Sequence, residues 1–391
     1  MLRSVQSAID SPLNKNARGY LMKSRAAVLY GPTRSFSIEE IEVDEPKEGE
    51  VLVKLVATGL CHSDWHFATG AAPVRFPMVV GHEGAGIIEK VGPGVTDLKP
   101  GDHVVLCYIP ACGKCRWCLS GLAALCDRGI LLTQGAQFDG SFRLHKDGQD
   151  IAQFALVSAF SEYTVCPVDS VIKIDPDLPL DRACLVGCAV PTGWGAAVNR
   201  ARVRPGETVA IFGTGGVGMN AVQGAAMAGA EKVIAIDLVD WKLEKAKEFG
   251  ATHTINPTRE DPVQRIMDIT HGVGADATIL TVSLVTADVI GTAVRATRKA
   301  GRTVIVGASD RRMQRMNITP VDFMLLAKEI VGTIFGHNVP RVDIPRLLSL
   351  YRDGKLKLDE FVTKRYRLDE INQAFLDLEE GRLIRGVLVF D

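Results

Sequence analysis

The sequence predicts an α/β protein in which an antiparallel, β-rich domain is followed by a doubly wound domain with a parallel sheet. Three observations support this fold class. Short apolar runs bounded by glycine and proline dominate residues 22–110, strands alternate with helices from Pro205 onward, and a glycine-rich turn joins the first of these later strands to a helix. The length of 391 residues suits two domains.

The β-rich part is preceded by a polar segment. Residues 1–21 lack the apolar stretch of a signal peptide, so we expect a disordered extension or an over-called start. Apolar runs between glycines and prolines predict strands at 26–30, 51–56, 85–89 and 103–106. We expect residues 112–150 to be loop-like and residues 161–174 to return to strands.

The parallel sheet is predicted from the alternation of its elements. Its strands are expected at 208–212, 232–237, 277–281 and 303–306. A separate strand is expected at the end of the chain, at 386–390. An alanine-rich helix follows the first of them and extends to Gly229, and a helix at 241–249 ends at Gly250. The pattern becomes less regular after Gly332. Alternating strands and helices are typical of a doubly wound sheet.

Composition and charge argue against two classes of protein. The chain is 47% hydrophobic and 23% charged, its formal net charge is -1, and no run of five lysines or arginines occurs. We therefore expect no nucleic-acid partner. Residues 208–230 are uncharged, but glycines together with Asn220 and Gln223 interrupt them, which favours a strand, turn and helix over a membrane span.

Cys112, Cys115, Cys118 and Cys126 form a block with the spacing C-x2-C-x2-C-x7-C. Four thiolates at these intervals can complete a tetrahedral zinc shell, which leaves no coordination position for a substrate. Disulfides are a weaker alternative because neighbouring C-x2-C pairs fit their geometry poorly, and an iron–sulfur cluster is another. The odd total of nine cysteines also argues against a secreted disulfide framework.

A glycine-rich turn predicts a dinucleotide site. The segment 213–218 follows a predicted strand directly and has glycine at four positions, Gly213, Gly215, Gly216 and Gly218. Val217 lies between the last two glycines. Such a turn lets the backbone approach a pyrophosphate at a helix N-terminus. Asp237 ends the next strand and would bind the ribose hydroxyls, which favours NAD(H) over NADP(H). Lys242 could reach the same ribose, although a solvated surface lysine is nearly as good an interpretation.

A second set of metal-binding residue types is scattered. Cys61, His82 and Cys188 would supply the three protein ligands that are typical of a catalytic zinc. Their spacing alone does not define a site, since each is also compatible with ordinary burial in a core.

Taken together, these motifs resemble those of the zinc-dependent medium-chain alcohol dehydrogenases. The resemblance extends from about residue 22 to residue 391 and also includes Arg385. It implies a GroES-like, β-rich catalytic domain at 22–190, a Rossmann NAD-binding domain at 191–332, and a return to the catalytic domain at 333–391.

The resemblance also implies two zinc ions in each subunit. Cys61, His82 and Cys188 match the ligands of the catalytic zinc, and the four-cysteine block matches a structural zinc lobe. The catalytic zinc would act as a Lewis acid on a primary alcohol while NAD accepts the hydride and an aldehyde leaves. Glu83 would tune the metal site without binding the resting zinc.

The remaining roles follow from the same resemblance. Ser63 would accept the substrate proton and His66 would deliver it to solvent; a turn-capping hydroxyl and an exposed histidine are the ordinary interpretations. The residues expected beside the coenzyme are His62, Thr192, Val217 and Arg385. Trp65 and Tyr108 are expected to line the substrate pocket, with apolar packing as an equal alternative.

Several segments resemble a particular branch, the actinobacterial nitrosoaniline-dependent nicotinoprotein alcohol dehydrogenases. These segments are 109–112, 139–143, 148–150, 160–164 and 218–224. The resemblance implies tightly held NAD(H). A thiol-adduct formaldehyde dehydrogenase of the glutathione-linked type is the alternative, but Ala72 and Ile130 stand where that branch has charged residues. A non-catalytic binding protein is less compatible with the complete ligand set.

The resemblance further predicts a cytoplasmic homo-oligomer that acts on small-molecule alcohols and aldehydes and has no membrane partner. Cys107, Cys166 and Cys184 are left without a role other than packing.

Overall fold

The computed structural model describes residues 22–71, 74–309 and 315–391, so the extension expected at 1–21 lies outside the described residues. The predicted fold class is confirmed. In chain order the strands are β1 (Met22–Leu29), β2 (Ser37–Val43), β3 (Glu50–Gly59), β4 (Met78–Val79), β5 (Gly84–Val91), β6 (His103–Leu106), β7 (Leu144–Lys146), β8 (Gln149–Gln153), β9 (Tyr163–Pro167), β10 (Val171–Lys173), β11 (Thr208–Phe212), β12 (Lys232–Ile236), β13 (His253–Ile255), β14 (Ala275–Leu280), β15 (Thr297–Ile305), β16 (Glu329–Gly332), β17 (Val362–Tyr366) and β18 (Arg385–Val389).

The α-helices are α1 (His62–Ala68), α2 (Arg116–Leu119), α3 (Leu180–Ala183), α4 (Ala189–Gly195), α5 (Gly216–Met227), α6 (Asp240–Glu248), α7 (Pro262–Ile269), α8 (Ala287–Ala296), α9 (Pro320–Leu326), α10 (Pro340–Arg352) and α11 (Ile371–Glu379). Short 3-10 turns occupy Ala123–Leu125, Asp127–Leu131, Phe154–Leu156, Val168–Ser170, Cys184–Gly187, Phe335–His337 and Leu368–Glu370, and a π-helical turn occupies Ala196–Ala201.

The β-rich part consists of a closed barrel and an adjoining sheet. The barrel has the order β1-β2-β7-β8-β4, and the second sheet has the order β10-β6-β5-β3-β18-β17 with β9 paired to β3. Strand β18 runs antiparallel to β3, with Val387 opposite Gly59. The strand at the end of the chain therefore belongs to the β-rich part.

The parallel sheet has the order β13-β12-β11-β14-β15-β16 among the described residues. All five residues of β11 are buried, because helices cover both faces of the sheet. The order reverses between β11 and β14, and ligands of such sheets bind outside the carboxyl ends of the strands at this point. The glycine-rich turn lies there.

The two parts share one apolar core. A continuous cluster of buried residues includes Ala57 and Val387 from the β-rich part and Val209 and Ile211 from the parallel sheet. This packing fixes the crevice between the two parts. Within the described ranges, no helix has the length and apolar character needed to cross a membrane.

Residues 112–150 and helix α10 are among the regions that differ from the sequence-based expectation. The prediction that residues 112–150 are loop-like was wrong in part, since they contain α2 and β7 and the start of β8. These elements are too short and too polar to produce a clear periodicity. Helix α10 was also missed; it begins at a proline and has Pro345 inside, which obscures the helical pattern.

Candidate active site and metal centres

Three of the scattered residues meet in the crevice. The ligand atoms of Cys61, His82, Cys188 and the neighbouring Glu83 all lie within 4.8 Å of one another, and all four residues are buried. Cys61 precedes α1, His82 precedes β5, and Cys188 precedes α4. The fold therefore assembles the site from three elements that are distant in the chain.

Asp64 orients the His82 ring, and the sequence interpretation missed it. Its fully buried carboxylate lies 2.9 Å from His82 Nδ1 and also accepts a hydrogen bond from the Gly81 backbone N–H. This arrangement leaves Nε2 of the ring free for a metal, as in many metal sites where a carboxylate supports a histidine ligand. Asp64 lies three residues after Cys61 on α1, and this helical spacing was a usable signal.

Glu83 forms a buried ion pair with Arg385, which also donates a hydrogen bond of 2.6 Å to the Leu60 carbonyl. A Cβ at Gly59 would lie 2.1 Å from Glu83 Oε2, so only glycine leaves room for this carboxylate. Among the described residues, Glu83 Oε2 and Arg385 Nε have no hydrogen-bond partner. Both groups therefore retain a free polar atom at the site.

The electrostatic environment favours a thiolate at Cys61. A hydrogen bond with Cys188, followed by the nearby charges of Arg385 and His82, holds the pKa of the Cys61 thiol well below its ordinary value. Burial raises the pKa of the Glu83 carboxyl to about 7, although the Arg385 guanidinium opposes this rise. The pocket thus favours negative charge on the Cys61 sulfur.

The four-cysteine block also converges. Sγ atoms of Cys112 and Cys118 are 4.0 Å apart, as are those of Cys115 and Cys126, and all four lie within 4.8 Å of one another. Hydrogen bonds from the backbone at Cys118 and Asp127 lower the pKa of Cys115 to about 6. Tetrahedral zinc with Zn–S bonds of about 2.3 Å separates its sulfurs by about 3.8 Å, whereas a disulfide needs about 2.05 Å.

Both clusters therefore fit zinc. The block offers four thiolates and no further donor, which suits a closed structural site. The crevice cluster offers two thiols and one imidazole beside a carboxylate that is already paired, which leaves a position open for a substrate.

The glycine-rich turn has the geometry that a coenzyme phosphate needs. A Cβ at Gly218 would lie 1.8 Å from the Gly213 carbonyl oxygen, so a side chain there would break the turn. A Cβ at Gly215 would meet nothing within 4 Å, and one at Gly216 would lie 3.2 Å from Arg385 side-chain atoms. The turn, the start of α5 and Arg385 thus form a cradle for a pyrophosphate.

Asp237 supports this cradle from the end of β12. Its carboxylate accepts hydrogen bonds from the N–H (2.7 Å) and hydroxyl (3.0 Å) of Thr214. Lys242 is half-buried, and burial lowers its pKa while Asp237 opposes the shift. Burial also lowers the pKa of His62 to about 4, so its imidazole is neutral near pH 7. Arg385 and Lys242 are the cationic side chains here.

Aromatic rings surround His82. Tyr108 and Phe154 each lie edge-on to the imidazole at 5.4 Å between ring centroids, and Phe335 lies 5.5 Å from Tyr108. Tyr108 was expected at the pocket and lies next to the metal ligand. Phe154 and Phe335 were not identified from the sequence, because single phenylalanines in irregular segments give no periodic signal.

Comparison with known proteins identifies the family. Residues 47–176 match the Alcohol dehydrogenase GroES-like domain, and residues 216–353 match Zinc-binding dehydrogenase. The NDMA-dependent alcohol dehydrogenase of Amycolatopsis methanolica is 47% identical to this chain, and the match covers 94% of this chain and 99% of that protein. The chain belongs to the zinc-binding alcohol dehydrogenase family.

Solved structures of alcohol dehydrogenases share the whole fold. Benzyl alcohol dehydrogenase from Acinetobacter calcoaceticus is 35% identical with a TM-score of 0.89, over 95% of this chain and 100% of that chain. An alcohol dehydrogenase zinc-binding domain protein from Burkholderia ambifaria is 37% identical with a TM-score of 0.90, over the same fractions. The family recognition made from the sequence is confirmed.

The other residues expected in this alcohol dehydrogenase lie at different distances from the metal cluster. Ser63 Oγ is 3.6 Å from Cys61 Sγ, and His66 follows on the same face of α1. Thr192 is buried and donates a hydrogen bond to the Cys188 carbonyl. Val217 lies at the start of α5, where its carbonyl would meet a Cβ at Gly193.

Two expectations from the alcohol dehydrogenase resemblance have a different outcome. Trp65 stacks on Phe375 at 5.1 Å, and Phe36 also stacks on Phe375, so the structure favours ordinary apolar packing for this tryptophan. Ala72 and the side chain of Ile130, which weighed against a glutathione-linked enzyme, lie outside the described residues.

Proposed function

We propose that this protein oxidises primary alcohols to aldehydes, and catalyses the reverse reaction, with two zinc ions and NAD(H) in each subunit. One observation carries the proposal: the cluster of Cys61, His82 and Cys188 lies next to the coenzyme cradle, and Arg385 contacts both. A hydride donor and a hydride acceptor would therefore lie side by side.

The side chains of the crevice have different proposed roles. Cys61, His82 and Cys188 would hold a zinc ion, which supplies Lewis-acid polarisation of the alcohol oxygen. Asp64 fixes the His82 ring, and Arg385 neutralises Glu83. The glycine-rich turn would hold NAD, which accepts the hydride.

A proton must leave the alcohol when it is oxidised. Ser63 Oγ lies at the metal cluster, and His66 is three residues further along α1 and partly exposed. We propose that Ser63 accepts the proton and the His66 imidazole releases it to solvent, since an imidazole nitrogen can both accept and donate a proton. The aromatic rings of Tyr108, Phe154 and Phe335 exclude water and suit an alcohol with an apolar group.

We also propose that NAD(H) is held tightly, by analogy with the segments shared with nicotinoproteins. We expect the purified protein to keep NADH absorbance through gel filtration and to oxidise benzyl alcohol with a nitrosoaniline acceptor without added NAD. Absorbance spectra and acceptor-coupled assays test this expectation. A colourless protein that works only with freely exchanging NAD would contradict tight retention but not alcohol oxidation. Assays with S-hydroxymethylglutathione separate the glutathione-linked alternative.

A homo-oligomer is the assembly that we propose. Met324 and Leu325 of α9 are 74% and 70% exposed. Helix α9 connects β15 to β16 in the chain. In the described residues β16 pairs on one side only, with β15, so a second copy could cover this apolar face. Sedimentation equilibrium should give a multiple of the 42.2 kDa chain mass, and Leu325→Arg should shift it toward the monomer. A monomeric wild-type protein would contradict the proposal.

A cytoplasmic location is proposed on chemical grounds. All nine cysteines are free thiols, and both proposed metal sites depend on reduced cysteine. Cell fractionation would test it.

A further inference from the structure

The segment that follows Phe154 has an unusual backbone. Ala155, Leu156 and Ser158 have φ angles of 55°, 66° and 45°, and none of them is glycine. Side chains with a Cβ rarely adopt this left-handed conformation, and it persists only where the surrounding structure holds it. Such runs are frequent at functional sites, so this one requires an explanation.

Ser158 is one of the buried side chains that hold this run, together with Gln137 and Thr164. Ser158 is fully buried, and its Oγ accepts a hydrogen bond of 2.9 Å from the Phe154 N–H while donating one of 2.6 Å to the Val79 carbonyl. Val79 belongs to β4, three residues before His82. The hydroxyl therefore ties the strained run to the strand that leads to the metal ligand.

The run presents an aromatic ring to the metal ligand. Phe154 lies edge-on to His82 at 5.4 Å and packs on Phe67 at 4.6 Å. The segment after the run also bonds to the residue before His82, because the Ala159 N–H donates a hydrogen bond of 2.8 Å to the Gly81 carbonyl. The position of the Phe154 ring is thus set by a backbone that Ser158 fixes.

Phe335, which contacts Tyr108, lies on a similar left-handed segment. Phe335, Gly336 and His337 have φ angles of 54°, 63° and 56°. Asn338, also fully buried, donates hydrogen bonds of 2.6 Å to the carbonyls of Phe335 and Pro191. Two aromatic rings near His82 thus lie on left-handed segments that buried polar side chains hold in place.

We propose that Ser158 is a positioning residue that sets the alcohol selectivity of this enzyme by fixing the Phe154 ring against His82. The inference rests on the proposed alcohol oxidation. We expect a ring fixed edge-on to the imidazole to favour an aromatic or other flat primary alcohol, which can pack against it. Ethanol has no ring and would gain little apolar contact with Phe154.

Ser158→Ala tests the proposal, and Ser161→Ala is the matched control. Ser161 is equally buried, and its hydroxyl bonds to Ser24 at 2.9 Å on the barrel. We expect Ser158→Ala to lower the ratio of kcat/KM for benzyl alcohol to kcat/KM for ethanol by about tenfold, chiefly through KM for benzyl alcohol. Ser161→Ala should leave this ratio unchanged. Equal effects of the two variants on the ratio would overturn the proposal.

Two further variants separate positioning from folding. Ser158→Gly removes the hydroxyl but accepts the left-handed backbone, so it should reproduce the loss of selectivity in a protein that folds. Phe154→Leu should lower the same ratio, and adding Ser158→Ala to it should have little further effect, since both act through one ring. Additive effects, or a wild-type ratio in Ser158→Gly, would contradict the role of Ser158. An inactive wild-type protein would instead contradict the proposed function.

Discussion

Cys188→Ala is expected to lower kcat for alcohol oxidation by about a thousandfold or more and to leave one zinc ion in each chain. Cys188 is one of three side chains proposed to hold the crevice metal, and its sulfur lies within 4.8 Å of the other donors. Lewis-acid polarisation contributes several kcal/mol to such reactions, and about 4 kcal/mol corresponds to a thousandfold change in rate. The remaining zinc should be that of the four-cysteine block.

Steady-state rates with benzyl alcohol, together with zinc content by mass spectrometry, measure both halves of this expectation. Cys184→Ala is the matched control, because Cys184 is fully buried four residues earlier and its thiol donates a hydrogen bond of 3.6 Å to the Asp181 carbonyl. It should retain both zinc ions and nearly the full rate. If Cys188→Ala kept two zinc ions and the wild-type kcat, the crevice cluster would not be the catalytic metal site.

Parts of the site whose residues are close together in the sequence could be predicted from their spacing, whereas parts assembled from distant segments could not. The glycine-rich turn and the cysteine block could be identified from residues alone, because each is complete within a short segment and its spacing reflects one local geometry. Cys61, His82 and Cys188 lie on three separate elements, and no spacing rule relates them. Their grouping was expected only from the family resemblance, and the convergence of their ligand atoms now supports it.

The supporting residues were harder to predict for a different reason. Asp64 contacts His82 across 18 positions of sequence, although its place on α1 beside Cys61 offered a hint. Phe154 and Phe335 depend on backbone conformations that the sequence does not favour, so propensity rules point away from them. Four strands of the parallel sheet were correctly placed because burial on both faces produces continuous apolar runs, whereas the short edge strands β13 and β16 were not predicted.

Cys118→Ala is expected to remove the zinc of the four-cysteine block and to leave the crevice zinc in place, which is the reverse of Cys188→Ala. It should destabilise the lobe formed by residues 112–126. Helix α2 has no buried residue, and Leu119 at its end is 74% exposed, so little apolar packing holds the lobe in place. Small segments of this kind depend on metal binding for their folding free energy. Cys115 would still accept the hydrogen bond from the backbone N–H of residue 118, because that bond does not involve the replaced side chain.

Limited trypsin digestion tests this expectation at the exposed Lys114 and Arg116. Cleavage there should be at least about tenfold faster than in the wild-type protein, because proteolysis follows the population of the opened segment. The kcat, expressed per crevice zinc ion, should stay within about tenfold of the wild-type value, because the block supplies no atom to the crevice cluster. Cys166→Ala, a buried cysteine of β9, is the control and should change neither rate. Loss of turnover with an intact lobe would mean that the four-cysteine block takes part in the chemistry, which a closed shell of four thiolates does not permit.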